Sequence, residues 1–255
     1  MLFNDIVYGP IHSRRLGISL GINLMPKEHK LCSFNCIYCE CGFNEPVRSP
    51  QLPTVQEVSE ALEQRLADLK RQQITPDVIT FSGNGEPTLH SDFLSIIEQT
   101  CLLRDRYCKT AKIAVLSNST QLYREDVVRA LQMADQRILK LDSATDETMR
   151  LIDQPVSERL SVERIVNMLQ QFDGDFTLQT CFLKGEYKGQ YIDNTTPGEL
   201  DAWYKTVALL HPKQIMIYVI DRATPAENLQ KIDSQTMQSI AAHLREKGFP
   251  VIVSA

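Results

Sequence analysis

An α/β fold, a partial and open (β/α)6 barrel of TIM-like layout behind an N-terminal cysteine loop, is predicted by three observations. Short apolar runs alternate with amphipathic stretches along the 255 residues, and strand–helix alternation of this kind makes a parallel sheet with right-handed crossovers. A complete eightfold barrel takes about 250 residues without extras. Here the first 50 residues hold one strand and the cysteine loop, which leaves room for about six units. Polar residues close nearly every expected strand, as a site on the carboxyl ends requires. A doubly wound sheet is the alternative. No repeat, low-complexity tract or shift in composition marks a linker, so residues 1–255 read as a single domain.

Taken in order, the strands are expected at 18–24, 77–81, 112–117, 136–142, 176–183 and 214–220, with a weaker one at 250–253. Thr54 and Glu57 form a capping box ahead of Val58, Leu62, Leu66 and Leu69, which share one helical face. Ser91 is placed to cap the stretch carrying Phe93, Leu94, Ile96 and Ile97. Cys101 and Cys108 fall on or just after that helix and read as structural. Thr196-Pro197 opens a helix with proline at its first position, ahead of Leu200, Trp203, Val207 and Leu210. Lys247-Gly248 followed by Pro250 stops the last one.

The strand ends carry the chemistry. After the second strand comes Ser82-Gly-Asn-Gly-Glu-Pro-Thr88, and the third closes in Ser117-Asn118-Ser119. The fourth sets Lys140 and Asp142 on one face by period two. Lys140 is there as a functional cation or as half of an ion pair, and Asp142 as a ligand or a helix cap. The fifth ends in Gln179-Thr180-Cys181 and the sixth in Asp221-Arg222, with long loops at 184–195 and 221–233. Cys181 is a thiol of the lumen or of the core. Arg222 anchors an anion or pairs with Asp221 or another acid.

Composition narrows the class. Twenty-seven basic against 32 acidic side chains give a net charge of −5, which excludes a nucleic-acid scaffold with a global basic field. His12, Arg14 and Arg15 form one small basic cluster. The longest apolar run, Ile215 to Ile220, is far short of a membrane span, and the first residues lack the features of a secretory signal. A cytoplasmic location follows. Seven cysteines, an odd number, then read as reduced thiols or ligands rather than an exported disulfide framework.

Four of the seven lie in Leu31-Cys-Ser-Phe-Asn-Cys-Ile-Tyr-Cys-Glu-Cys-Gly42, at Cys32, Cys36, Cys39 and Cys41. Random placement would give such a C-x3-C-x2-C with an expectation of about 0.005, so chance explains it poorly. Thiolates this close coexist most readily around a metal, which holds them deprotonated. The set reads as buried core thiols, a structural zinc site with Cys41 as fourth ligand, an electron-transfer cluster on four thiolates, or a [4Fe–4S] cluster on three with one iron open.

These motifs resemble the radical S-adenosylmethionine superfamily. The resemblance rests on C-x3-C-x2-C with an aromatic, Tyr38, before the last cysteine, and on "GNGEP" (83–87), where the superfamily usually has Gly-Gly-Glu-Pro. "VYGPIHSRRLGISLGIN" (7–23) and "LKLDSATDET" (139–148) are similar to small members grouped with wyosine-type tRNA-base synthases. The resemblance implies a cluster-binding loop with Cys32, Cys36 and Cys39 on a [4Fe–4S] cluster, and S-adenosyl-L-methionine at its open iron. One electron would then cleave the sulfonium and release a 5′-deoxyadenosyl radical that abstracts hydrogen from substrate. It places Tyr38 at the adenine, and the backbone around Gly83, Gly85 and Glu86 at the methionyl amine. Ser117, Asn118 and Asp142 would meet the ribose hydroxyls or the methionyl carboxylate, and Lys140, Cys181 and Arg222 are the candidates for substrate chemistry. A one-electron donor of flavodoxin or ferredoxin type is implied. A small molecule or nucleoside is the first expectation for the substrate. Modification of tRNA, activation of a protein glycyl radical and a non-catalytic metal-stapled binding module are the alternatives.

Overall fold

A computed structural model describes residues 2–13, 15–46 and 48–254. The chain divides into two compact units. One comprises the stretch through Cys32, Asn44–Ser117 and Gln121–Arg137, the other Ser33–Phe43, Asn118–Thr120 and Ile138 onward.

In the first unit, β1 (Val7–Ser13) pairs antiparallel with β2 (Gly17–Ile22), and β2 runs parallel to β3 (Val78–Phe81), itself parallel to β4 (Lys112–Ser117). Every residue of β3 is buried, as in a parallel strand covered on both faces. Helices α1 (Val55–Arg71), α2 (Phe93–Tyr107) and α3 (Glu125–Met133) intervene. The expected face of α1, Val58, Leu62, Leu66 and Leu69, is the buried one, and its capping box is complete. Thr54 N–H donates to Glu57 Oε2 at 2.7 Å, and Glu57 N–H to Thr54 Oγ1 at 3.2 Å.

Two expectations need correction here. Asp92 and not Ser91 precedes α2, and neither caps it, because the Ser91 hydroxyl is turned to the Asp92 carboxylate at 3.3 Å. β1 is a second strand where the first 50 residues are expected to hold one, and its pairing with β2 carries a register shift between Tyr8 and Ile11. Its register puts the Tyr8 ring over Gly21, where a Cβ would lie 2.1 Å from the ring.

In the second unit β5 (Gln136–Lys140, of which Ile138 onward belongs here), β6 (Thr177–Tyr187), β8 (Gln214–Val219) and β10 (Val251–Ser254) are parallel neighbours in that order. Helices α4 (Asp146–Asp153), α5 (Val162–Gln170), α6 (Pro197–Leu210) and α7 (Ser234–Glu246) alternate with them. Thr196 caps α6 as expected, and Thr145, not Asp142, caps α4. The two segments expected as loops contain strands. β6 continues past its parallel partner and is flanked antiparallel by β7 (Gln190–Asp193) and β9 (Asn228–Lys231). Gly185 makes this ribbon possible: at φ +144 its Cβ would lie 2.3 Å from Asn228 O on β9. Among the described residues no helix is long and apolar enough to cross a membrane.

Candidate functional site

In the first unit the glycine-rich segment after β3 grips the residue before Cys32. Leu31 N–H donates to Asn84 O at 2.9 Å, and Glu86 N–H donates to Leu31 O at 3.1 Å. Leu31 and Gly85 thus form a parallel bridge. Gly85 sits at φ +145, and a Cβ there would fall 1.8 Å from Leu31 O, so only glycine lets the two backbones approach. Gly83, at φ +126, faces the Asn23 side chain in the same way: a Cβ there would fall 2.5 Å from its Oδ1. The turn reading of these glycines holds: the turn pairs with Leu31, the residue before Cys32.

Asn84, where the superfamily usually has glycine, is fully buried and works as a tie. Its side chain accepts Phe3 N–H and donates to Phe3 O and Pro26 O, each at 2.8 Å. The neighbouring Glu86 is buried as well, its Oε1 taking Thr88 N–H at 3.1 Å and the Thr88 hydroxyl. Asn44 Nδ2 holds Cys32 O at 3.0 Å, and Ser117 is buried at the end of β4.

In the second unit the cysteine loop is laced along the end of α4. Asn35 N–H donates to Asp153 O at 2.8 Å, Ile37 N–H to Ile152 O at 2.9 Å, and Val156 N–H to Ser33 O at 2.9 Å. The residues after β4 hold the same loop: Asn118 Nδ2 donates to Ser33 Oγ at 2.9 Å, and the Ser33 and Thr120 hydroxyls are 2.6 Å apart. Within the loop Cys39 N–H turns back to Cys36 O and Gly42 N–H to Cys39 O. Cys36 is buried, Cys39 and Cys41 are half-buried, and none of the seven cysteines forms a disulfide.

Beside this loop lies a buried charge network. Lys140 Nζ bridges the carboxylates of Asp142 and Asp153. It also sits 5.2 Å from the centre of the Phe34 ring and 5.4 Å from that of Tyr38. Asp142 Oδ2 takes the Tyr38 hydroxyl at 2.5 Å, and Oδ1 takes Cys181 N–H at 2.9 Å. Tyr218 donates its hydroxyl to that of Tyr38 at 3.4 Å, and Asp153 also accepts the Cys36 thiol.

Burial disfavours charge on Lys140, yet Asp142 and Asp153 outweigh it and hold the ammonium well above its usual range. Two carboxylates share that one ammonium, and burial pushes Asp153 up to about 7. Tyr38 is raised by burial and then by Asp142, and Cys181 by burial and then by Asp142, so both keep their protons at neutral pH.

The second unit therefore gathers Tyr38, Lys140, Asp142 and Cys36. Cys181 is fully buried among Ile37, Leu183 and Ile192, a core thiol. Lys140 is in an ion triad. Arg222 is 71% exposed and pairs with Glu40, between Cys39 and Cys41, at 2.6 Å; Asp221 lies 3.8 Å from Lys231. Arg14, of the small basic cluster, falls outside the described residues. Sequence reasoning missed Asp153, Tyr218 and Asn194, which ties Asp142 O to Cys181 O by its amide at 2.8 Å each. Asp153 ends an amphipathic helix and Tyr218 lies in an apolar run, so no local pattern singles them out.

The donors present suit an iron–sulfur group by chemistry: soft thiols at positions 32, 36 and 39 of a loop fixed by backbone bonds. Among the described residues no three Cys, His, Asp or Glu side chains are set around the position of a single metal ion.

A family model described as the Radical SAM superfamily matches residues 29–193. Among curated relatives, a protein named GTPase Obg from Brachyspira hyodysenteriae is 33% identical over 91% of this chain and 32% of its own length. The chain spans between 32% and 57% of the length of the curated relatives that it matches first. Among solved structures, a radical SAM methyltransferase from Sphaerobacter thermophilus superposes with a TM-score of 0.66 at 13% identity, over 92% of this chain and 65% of that one. TYW1 with a lysine–pyruvate adduct bound gives 0.62 at 14% identity, over 89% and 73%. These likenesses are of fold, the mostly parallel α/β half-barrel that the strand–helix alternation predicts.

Proposed function

The chain belongs to the radical S-adenosylmethionine superfamily, and on that premise we propose that residues 1–255 act as one domain of a radical enzyme with a small-molecule or nucleoside substrate. The observation that carries this reading is C-x3-C-x2-C at Cys32, Cys36 and Cys39, inside the matched segment 29–193. These three thiolates would hold a [4Fe–4S] cluster, with Cys41 outside the set of its ligands. Such a cluster, when bound, would supply the electron for reductive cleavage of S-adenosyl-L-methionine and so the radical chemistry that abstracts hydrogen from a substrate.

The chain's own residues bind and orient. Tyr38 turns its ring to the adenine, its hydroxyl fixed by Asp142. The backbone at Gly83, Gly85 and Glu86 receives the methionyl amine. Ser117, Asn118 and Asp142 meet the ribose hydroxyls or the methionyl carboxylate, with Asn118 and Asp142 held rigid by the bonds that they already make. Lys140 keeps its proton between two carboxylates and so acts as a fixed positive charge. Arg222, exposed beside Glu40, anchors an acidic group of the substrate. A flavodoxin or ferredoxin supplies electrons one at a time.

The test is turnover without substrate. Anaerobically reconstituted protein given dithionite and S-adenosyl-L-methionine should release 5′-deoxyadenosine slowly, and Cys36→Ala should release none. A full complement of iron and sulfide with no deoxyadenosine formed would overturn the mechanism.

A further inference from the structure

The buried triad of Lys140, Asp142 and Asp153 sits where the cysteine loop meets α4, and Asp153 holds the loop in two ways. Its backbone carbonyl accepts Asn35 N–H at 2.8 Å. Its carboxylate accepts the Cys36 thiol and is bridged to Lys140. Lys140 in turn bridges to Asp142, whose other contacts fix the Tyr38 hydroxyl and the Cys181 amide. One buried ammonium thus joins two residues of the loop, Cys36 and Tyr38, to the ends of β5 and α4.

The rest of this contact is backbone pairing: Ile37 with Ile152, Val156 with Ser33, and a bridge between Phe34 and Pro155. Backbone pairing sets the height of the loop but not the direction of its side chains. The Asp153 carboxylate, with a side chain 3% exposed, does reach a thiol, that of Cys36. Gln154 follows it in the left-handed region at φ +43, which ends the helix and turns the chain alongside the loop.

We propose that Asp153 is a positioning residue of the cysteine loop: braced by Lys140, it fixes the side chain of Cys36 and holds the loop in its ligand-presenting form before any iron arrives. The inference rests on the proposed role of Cys36 as a cluster ligand. A loop ordered in advance spares the binding step the cost of ordering it. Without the brace the thiol swings and the loop amides open.

The experiment compares the full-length wild type with Asp153→Ala and Asp153→Asn, first free of iron and then reconstituted. In the iron-free proteins, hydrogen exchange of the amides at 35–39 and the alkylation rate of Cys36 are measured. Asp153→Ala should accelerate both by about tenfold or more, with the amides of α6 and α7 unchanged. Asp153→Asn keeps an acceptor for Lys140 and the thiol, and should restore most of the protection. After reconstitution the reduced cluster of Asp153→Ala should give a shifted or broadened electron paramagnetic resonance signal, and that of Asp153→Asn one close to wild type.

Equal acceleration across the whole unit would mean lost stability alone and would overturn the proposal. So would unchanged rates at 35–39, or Asn behaving like Ala. Should Asp153→Ala not fold, Lys140→Met replaces it in the same comparison, since it removes the brace and keeps the carboxylate. Failure of the underlying reading is seen separately, as wild-type protein that takes up no iron and sulfide while its iron-free exchange pattern stands.

Discussion

Replacing Lys140 by Met keeps the length and apolar stem of the side chain and removes one charge from the core. Asp142 and Asp153, with side chains 0% and 3% exposed, then lose the ammonium that they share. Breaking a buried pair by removing one partner typically costs about 3–5 kcal/mol, because a charge stays behind uncompensated. Asp142 still has the Tyr38 hydroxyl and the Cys181 amide, and Asp153, already pushed up to about 7, escapes its charge by taking a proton. The lower end of the range, about 3 kcal/mol, is therefore expected. That is a large share of the ~5–15 kcal/mol that holds a typical domain folded.

The sign with pH follows from the direction of the Asp153 shift. A carboxyl raised on folding binds more protons folded than unfolded, so it loses stability as pH rises from the ordinary carboxylate range through about 7. Without Lys140 the carboxyl rises further. The deficit of Lys140→Met should be largest near pH 8 and smaller near pH 5.5, read from urea unfolding of the reduced, iron-free chain. Adding Asp153→Asn should recover more than half of it. A deficit below about 1 kcal/mol at pH 8, or one that grows toward acid, would refute the reasoning.

Other perturbations give equally definite outcomes. Gly85→Ala forces a Cβ within 1.8 Å of Leu31 O at φ +145, and should cost about 3 kcal/mol or more by denaturant unfolding and lower iron uptake. Thr54→Ala removes the cap of α1 and should cost about 1 kcal/mol with cluster content unchanged. Arg222→Lys touches an exposed pair, so its melting temperature should barely move. Cofactor cleavage without substrate should stay near wild type while substrate-stimulated cleavage falls; a proportional loss of both would remove Arg222 from the site.

What was legible in the sequence follows from how local each signal is. The parallel strands are buried runs such as Val78–Phe81 and Gln214–Val219, and the helices carry apolar faces and caps such as Thr54 and Thr196, all readable from neighbours in the chain. The strands missed, β1, β7 and β9, are short or interrupted and half-exposed, and exist because a partner lies opposite: Tyr8 needs Gly21, and β9 needs Gly185. At the site, the cysteines stand out by their spacing, Lys140 and Asp142 by sharing one strand face, and Tyr38 only through the resemblance to the superfamily. Asp153 does not, because the reason for it, Lys140, lies 13 residues away. Asn84 was visible as a departure from the superfamily pattern, but its work as a tie between Phe3 and Pro26 is tertiary.

The central claim is that Cys32, Cys36 and Cys39 together hold one cluster with an open iron. Mössbauer spectroscopy of protein reconstituted with iron-57 tests it most directly. With S-adenosyl-L-methionine added, one iron of the [4Fe–4S] cluster should change its parameters and the other three should not. Cys41→Ala should leave that spectrum intact, and Ala at any of the other three positions should abolish it. Four irons that ignore the added cofactor, with the cluster lost in Cys41→Ala, would contradict the account and assign a four-thiolate electron carrier instead.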